Sequence, residues 1–481
     1  MKKFILCLVV LLTVFTAFCF YRFFKDEAAV KSCVFKEKTD LPSQEALARF
    51  SDGLKFKTVS NSFYNETDFQ EFENFITYIQ KAYPEIFEKC EFVRVNKYGI
   101  VLKLKGKDSS KKPNVLLGHY DVVAADNTSD WIHPPFSGFY DNEYIYSRGT
   151  VDDKASVFAM FEALNDLLKQ GFQPKADLYL SLSHAEETGS EESAPSIVAY
   201  FKSQNISFDT ALDEGGRIVN KNSDYYAFVG TSQKGRLLTK ITVFGKGAHA
   251  SMPPKNSAVA KLAKLITAFE KADNKIIFSD ETKHYYKTTY SSYGRLTRFL
   301  ISNMDIFEPL FIKKISKNPD DLARLSTTYA VSIIEAATVP NAVSSEASMM
   351  LDARILPEES VDDVKNYINN VISKVLPNEK VKQEYLDVVV PTPSAGIISE
   401  EYKNLSKVID KSFPDVKVSP YLVLGVTDAS EYKDIVDAAF CFLPCVLTVD
   451  EAALMHNDNE RISVKNFGRM ISFYKEYILT K

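Results

Sequence analysis

Cysteine and histidine are both scarce in this chain of 481 residues, which contains six of each. No pair of cysteines has the spacing of a structural zinc knuckle, which argues against a zinc-finger module. Lysine and arginine form no clustered stripe and the formal net charge is -5, so no nucleic-acid partner is expected. The sequence also has no internal repeat and no low-complexity stretch, which leaves an ordinary folded protein as the interpretation.

The hydrophobic content of 45% is enough to bury a large core, and the length favours two domains. Buried strand patterns alternate with helical patterns, which predicts a doubly wound α/β catalytic domain over residues 40–234 and 393–481. Between them, residues 235–392 read strand, helix, strand, strand, helix, strand, which predicts an inserted α+β ferredoxin-like lid. Within the lid, an extra insertion at about 273–325 would either line an acyl pocket with its aromatic side chains or form a helical flap.

The N-terminus differs from the rest of the chain. Lys2 and Lys3 precede an apolar run from Phe4 to Phe20, and no clean small-x-small cleavage site follows. We therefore predict a signal anchor over residues 1–25, rather than a signal peptide, that ties the protein to a membrane. Because the short segment before the apolar run is positively charged, it would stay in the cytoplasm, and the catalytic part would lie on the extracytoplasmic or lumenal side. If the segment is cleaved, the protein is secreted.

Potential metal ligands follow apolar runs that are typical of buried strands. His119 and Asp121 follow one such run, Glu186 and Glu187 follow a second, and Asp213 with a glycine pair follows a third. Ligands of doubly wound sheets bind at the carboxyl ends of the strands. Neighbouring side chains that leave a strand point in different directions, so one of the two carboxylates after the second run can bind a metal while the other faces a metal-bound water molecule.

Two further strings complete the set. Asp152 precedes a helical pattern from Ala155 to Leu168, where a carboxylate can either cap the helix or bridge two cations. His456 lies much later, in a polar and acidic segment. Each string alone is also compatible with a structural role, such as a core histidine or a solvated acidic turn.

In this order the strings resemble the co-catalytic zinc metallopeptidase family of carboxypeptidase G, aminoacylase and Gly-Xaa carboxypeptidase, in particular its carboxypeptidase S branch. The resemblance runs from about Ser43 to the C-terminus. It implies two Zn²⁺ per chain, with Asp152 bridging them, and this set of ligands: His119, Asp152, Glu187, Asp213 and His456. One site would contain His119 and Asp213, and the other Glu187 and His456. The peptide bond between Asp152 and Asp153 would be cis.

The resemblance also implies roles in catalysis. Glu186 would be the general base, and Asp121 would hold His119 or a neighbouring ligand in place. His249 lies in the lid after a strand pattern, in the string Gly-Lys-Gly-Ala-His, and would stabilise the oxyanion of the tetrahedral intermediate. In the family this histidine often reaches the site across a dimer, so a homodimer is possible here.

Four residues would bind the substrate by the same resemblance. Arg354 would hold the substrate's free carboxylate as a bidentate fork, and Asn341 would assist it. Gly425 and Thr427 belong to a loop that resembles the family's glycine-threonine-aspartate loop, although Val426 stands where the family more often has glycine.

We therefore expect zinc-dependent hydrolysis of an amide bond next to a free carboxylate. The substrate would be a small peptide or an N-acyl amino acid, so the enzyme would be a carboxypeptidase, a dipeptidase or an N-acyl amino acid hydrolase. One alternative is a catalytically inactive binding module on the same fold, although all five ligands and the base are retained. Another is a reversible N-acyl amino acid synthase/hydrolase, whose direction depends on substrate concentrations rather than on residues.

Overall fold

The computed structural model describes residues 1–30, 41–61, 64–125, 128–222, 224–271 and 274–481. Its helices are α1 (Lys2–Ala29), α2 (Gln44–Gly53), α3 (Phe69–Ala82), α4 (Pro84–Lys89), α5 (Lys154–Lys169), α6 (Ala194–Ser203), α7 (Ala258–Glu270), α8 (Asp280–Thr288), α9 (Arg295–Ser302), α10 (Met304–Ile315), α11 (Pro319–Leu325), α12 (Val361–Val375), α13 (Glu400–Ser412), α14 (Val449–Ala452) and α15 (Val464–Leu479).

The strands are β1 (Glu91–Val95), β2 (Gly99–Leu104), β3 (Asn114–His119), β4 (Phe139–Tyr140), β5 (Tyr144–Tyr146), β6 (Leu178–Ser183), β7 (Phe208–Asp213), β8 (Ile218–Lys221), β9 (Asp224–Gln233), β10 (Gly235–Phe244), β11 (Ala248–His249), β12 (Thr328–Glu335), β13 (Ala342–Val343), β14 (Glu346–Ile355), β15 (Val381–Val389), β16 (Lys417–Val423), β17 (Val436–Cys441) and β18 (Arg461–Ser463).

The catalytic domain is built on a nine-stranded mixed sheet in the order β1-β2-β6-β3-β7-β17-β9-β16, with β8 paired to β9. Its centre is parallel, since β3 pairs in parallel with both β6 and β7, and β7 pairs in parallel with β17. β3 and β6 are buried along their whole length, and separate apolar clusters cover the two faces of the sheet. This is the doubly wound α/β arrangement predicted from the sequence.

The lid is a second, four-stranded antiparallel sheet in the order β12-β14-β10-β15, with α7 and α12 packed on one face. In chain order these strands are second, third, first and fourth, which is the ferredoxin-like arrangement expected for this segment. β10 begins one residue after Lys234, whose buried ammonium group donates hydrogen bonds to Ser326 and Thr328 at the start of β12.

The extra insertion forms four short helices, α8 to α11; residues 272 and 273, where it was predicted to begin, lie outside the described residues. Its aromatic side chains do not join the core of the lid. Tyr285 and Tyr286 pack instead in a cluster with Tyr226 and Phe228 of β9, and Arg324 lies over the rings of Tyr285 and Tyr421. The insertion is thus attached to the β9–β16 edge of the catalytic sheet, and it also contacts α1.

The helix α1 is long and apolar enough to cross a membrane by length and composition. A signal sequence passes the same test. Almost all of the apolar side chains of α1 are exposed, and only Cys19 and Phe23 are buried.

Candidate metal centre

Asp152 is the centre of the predicted ligand cluster. Its Oδ1 lies 2.9 Å from Nε2 of His119, and its Oδ2 lies 3.0 Å from Nε2 of His456. The two oxygens of one carboxylate therefore face two different histidines. His119 belongs to the part of the chain before the lid, and His456 to the part after it. The Asp152-Asp153 peptide is cis, as the resemblance implied.

Each histidine has a second acidic partner, so the donor atoms form two groups that share Asp152. In one group Oε2 of Glu187 lies 3.1 Å from Nε2 of His456; in the other, Oε1 of Glu214 lies 3.9 Å from Nε2 of His119. Within each group the donor atoms lie within 4.8 Å of one another. Oε1 of Glu187 is buried and has no hydrogen-bond partner. Nitrogen and carboxylate donors in this arrangement fit two divalent cations such as zinc.

Asp121 holds the strand ends together. Its carboxylate accepts hydrogen bonds from the backbone N–H groups of Glu186 and Glu187, at 3.1 and 3.2 Å, and from Ser60. Its Oδ1 also lies 3.3 Å from Nδ1 of His119. One buried carboxylate thus orients the imidazole at the end of β3 and the acidic turn after β6, which is the type of supporting contact that metal-binding histidines commonly make.

Asp213 does not occupy the ligand position predicted for it. Its Oδ2 accepts hydrogen bonds from the Thr427 hydroxyl (2.7 Å) and the Ala429 backbone (2.8 Å), while Glu214 faces His119 and Asp152. The reason is the alternation of side chains where β7 ends, which sends adjacent acids in different directions. Thr427, predicted to bind substrate, is buried and serves to anchor Asp213.

A second buried carboxylate, Glu460, fixes the loop that carries Asp152. Its Oε2 accepts from Nη1 of Arg148 at 2.8 Å and from the backbone of Gly149, and its Oε1 accepts from the backbone of Val151 and Asp152. Because Glu460 follows His456 by four residues, the same contact also positions the loop with the second histidine. The residue pattern did not indicate this role, although the acid lies in the polar and acidic segment that contains His456.

The cluster carries more acidic groups than its two imidazoles can neutralise. Hydrogen bonds from the His456 imidazole to the carboxylates of Asp152 and Glu187 raise the pKa of His456 to about 10. Burial opposes a charged His119, but its contacts with Asp121 and Asp152 raise the pKa of that imidazole well above its usual value. Burial, reinforced by the charges of Asp428 and Asp152, raises the pKa of Glu186. A site with this excess of negative charge favours bound cations.

The predicted substrate-binding residues of the lid do not join the cluster. Among the described residues, the Arg354 guanidinium bonds to Asp352, on the same face of β14, and the exposed His249 ring bonds to Ser251. Asn341 is exposed beside His249, and its carbonyl accepts from the backbone of Ala250. Gly425 is exposed in the loop after β16, with open space around it.

Comparisons with known proteins point to a peptidase family. The model of peptidase family M20/M25/M40 matches residues 115–480. Probable carboxypeptidase S-like 2 of Dictyostelium discoideum is 32% identical over 92% of this chain and 86% of its own length. N-fatty-acyl-amino acid synthase/hydrolase PM20D1.1 of Danio rerio is 30% identical over 90% of this chain and 84% of its own.

Solved structures show the same fold. The M20 family metallo-carboxypeptidase Sso-CP2 from Sulfolobus solfataricus superimposes with a TM-score of 0.67 at 18% identity, over 91% of this chain and 99% of that one. Human carnosine dipeptidase 1 superimposes with a TM-score of 0.63 at 16% identity, over 91% of this chain and 95% of its own. At these identities the likeness concerns the fold alone.

Proposed function

The chain belongs to peptidase family M20/M25/M40 and is a metal-binding hydrolase of amide bonds, and we propose that it holds two Zn²⁺ ions and cleaves an amide next to a free carboxylate. The observation that supports two ions is the position of Asp152, whose oxygens face His119 and His456 separately. Glu214 would complete the first site and Glu187 the second. Asp213 would serve as a supporting residue.

In this proposal Glu186 moves the proton. Bound cations would supply Lewis acidity toward the amide carbonyl and lower the pKa of water toward neutrality. The carboxylate of Glu186 would accept the proton of the attacking water and return it to the nitrogen of the departing amine. Its backbone N–H is held by Asp121, so the side chain starts from a fixed position beside the ligands.

The relatives support the proposed substrate class. A carboxypeptidase S-like protein and an N-fatty-acyl-amino acid synthase/hydrolase are similar to this chain at nearly equal identity, and both names describe an amide bond to an amino acid. The name of the second relative, which includes a synthase, favours a second candidate function: net synthesis of N-acyl amino acids from a fatty acid and an amino acid. The same residues would catalyse it when the amine and the acid are in excess.

A substrate panel tests this proposal. We expect purified full-length protein in detergent to hydrolyse dipeptides with a free C-terminus, N-fatty-acyl amino acids, or both, and to lose activity on chelation and regain it with Zn²⁺. Elemental analysis should find about two metal ions per chain. Matched C-terminal amides serve as controls and should react poorly. Full activity after verified metal removal, or equal rates on the amides, would contradict the proposal.

We also propose that the lid completes the active site of a second copy of the chain. His249 is exposed and bonds only within the lid among the described residues, so it has no catalytic partner in its own chain. In a homodimer it would reach the partner's metal centre and donate to the oxyanion. Arg354 keeps its predicted role only if a substrate carboxylate displaces Asp352.

Mixed dimers test the position of His249. We expect His249→Asn alone to lower kcat by about 10²- to 10³-fold, as is usual for the loss of an oxyanion donor. Co-expression with Glu186→Gln, on a differently tagged chain, should restore activity in the purified mixed species, because one of its sites would combine an intact Glu186 with an intact His249. If the mixed species is as inactive as each parent, the histidine acts within its own chain or not at all.

The N-terminal helix supports a proposed location. α1 would remain as a signal anchor and hold the catalytic domain at the extracytoplasmic or lumenal face of a membrane. Its lysines lie at the N-terminal end of the apolar run, and charged residues resume only at Arg22.

A further inference from the structure

The helical insertion and α1 form one surface. The ring of Phe299 in α9 packs against Phe20 and Phe23 of α1, with centroids 5.3 and 5.9 Å apart. Nearer the N-terminus of α1, Phe15 makes an edge contact with Phe307 of α10 at 6.3 Å. Aromatic contacts therefore extend well into the apolar run and are not confined to the end of α1.

Polar contacts fix the same pair of elements. Arg22 and Asp305 form an ion pair at 2.7 Å, and Glu27 accepts from the Tyr290 hydroxyl at 2.8 Å and pairs with Arg298 at 3.2 Å. Such specific contacts on α9 and α10 would be left without partners if α1 were removed as a signal peptide. They favour a helix that stays with the folded protein.

From this geometry we propose that α9 and α10 are seated in the lipid bilayer beside α1, so that the insertion is a membrane-docking element. The inference rests on the proposed anchor. Phe15 precedes Arg22, the first charged residue after the run, by seven residues, or about 10 Å along a helix. Interfacial helices bury their apolar faces to roughly 5–10 Å. Phe307, which contacts Phe15, would thus lie at the depth of the outer acyl chains.

The exposed side chains of the two helices fit this position. Leu296 is 64% exposed and Leu310 is 57% exposed, and each lies three residues from a phenylalanine that contacts α1, Phe299 or Phe307. Exposed cations flank them, namely Arg295 beside Leu296 and Lys313 and Lys314 after Leu310. An apolar surface edged by Lys and Arg matches a bilayer with anionic headgroups better than a protein partner, whose contact surface is usually poor in lysine.

Pro309 shapes this surface. The residues around it are kinked, with Phe307 at non-helical backbone angles (φ -112°, ψ 25°). Proline inside a helix removes a hydrogen bond and bends the axis. The bend allows Phe307 to face α1 while Leu310 is exposed.

Lipid photocross-linking of the full-length chain tests the proposal. The photoreactive amino acid p-benzoyl-phenylalanine would replace Leu310, Leu296, Val10 or Met252 in separate variants, each in vesicles of phosphatidylcholine and phosphatidylglycerol. Val10 reports on insertion of α1, and Met252, 73% exposed on the lid, is the control outside the surface. We expect adducts with phospholipid at positions 310, 296 and 10, and none at 252.

The outcomes separate the two ideas. Adducts at position 10 with none at 310 and 296 would overturn the docking element and leave the anchor in place. No adduct at position 10 would overturn both the anchor and the docking element. Adducts of position 310 with a second copy of the chain, instead of lipid, would assign the surface to a protein interface and so contradict the proposal. Positions 310, 296 and 10 lie outside the metal centre and the loop of His249, so hydrolysis of a soluble dipeptide reports that these variants are folded. Met252 donates a backbone hydrogen bond to His249, so circular dichroism reports on the folding of the position-252 variant.

Discussion

Glu186→Gln is expected to lower kcat by about 10²- to 10⁴-fold while the protein keeps its metal ions. Glutamine has nearly the same shape but cannot accept the proton of water, and Glu186 is in neither group of metal-binding atoms. Its backbone contact with Asp121 does not depend on the side chain, so the turn after β6 should be unchanged. Steady-state kinetics together with elemental analysis of the same preparation would measure both effects.

The matched control is Glu191→Gln, in the same acidic stretch but exposed to solvent. It removes one negative charge close to the site without touching the proposed base, and activity should stay near that of the wild type. A Glu186→Gln enzyme with a normal rate would show that another group transfers the proton. Loss of metal from Glu186→Gln would instead make this residue a ligand.

Glu214→Gln should lose metal where Asp213→Asn does not. Replacing Glu214 removes a donor from the group with His119 and Asp152, and we expect affinity for one of the two ions to fall at least about 100-fold, the upper end of what supporting residues cost. Oδ2 of Asp213 accepts from Thr427 and Ala429, and asparagine retains one acceptor oxygen for them. Calorimetric metal titration of the apo proteins would give both affinities.

If Asp213→Asn loses an ion and Glu214→Gln keeps both, Asp213 is the ligand. Circular dichroism serves as the control for folding, because Asp213 is buried and its loss could unfold the end of β7. Only a folded variant that has lost one ion identifies a ligand. Both substitutions therefore keep the size of the side chain, so that the fold is disturbed as little as the change of charge allows.

Much of the fold and part of the site could be predicted because their signals are local. The buried run of β3 ends at His119, and that of β6 ends at Ser183, shortly before the Glu186-Glu187 turn. The residue pattern alone therefore indicates that these groups meet at one edge of a parallel sheet. The order of strands and helices in the lid is likewise visible in the alternation of patterns. The bridging position of Asp152 depends on two histidines that are distant from it in sequence. No local pattern indicates it, and it was predicted only from the family resemblance.

Other features depend on contacts that the sequence does not reveal. Which of Asp213 and Glu214 faces the metal centre is decided by the loop at Thr427, which lies over two hundred residues later in the chain. The insertion shows little periodicity because its helices are short and one contains Pro309, so neither its structure nor its packing on α1 could be predicted. The Arg354–Asp352 pair could have been anticipated, because alternate residues of a strand share a face.

The clamp made by Glu460 has a consequence for biogenesis. Until residues near the C-terminus have been synthesised, the loop with Asp152 lacks the carboxylate that binds four of its polar groups, and the second histidine is also missing. A nascent chain is therefore an inert precursor through nearly the whole of translation. In the proposed topology the polypeptide would be threaded across a bilayer as it is made and would bind the proposed zinc ions on the far side. The supply of zinc in that compartment, not in the cytosol, would then set how much active enzyme forms.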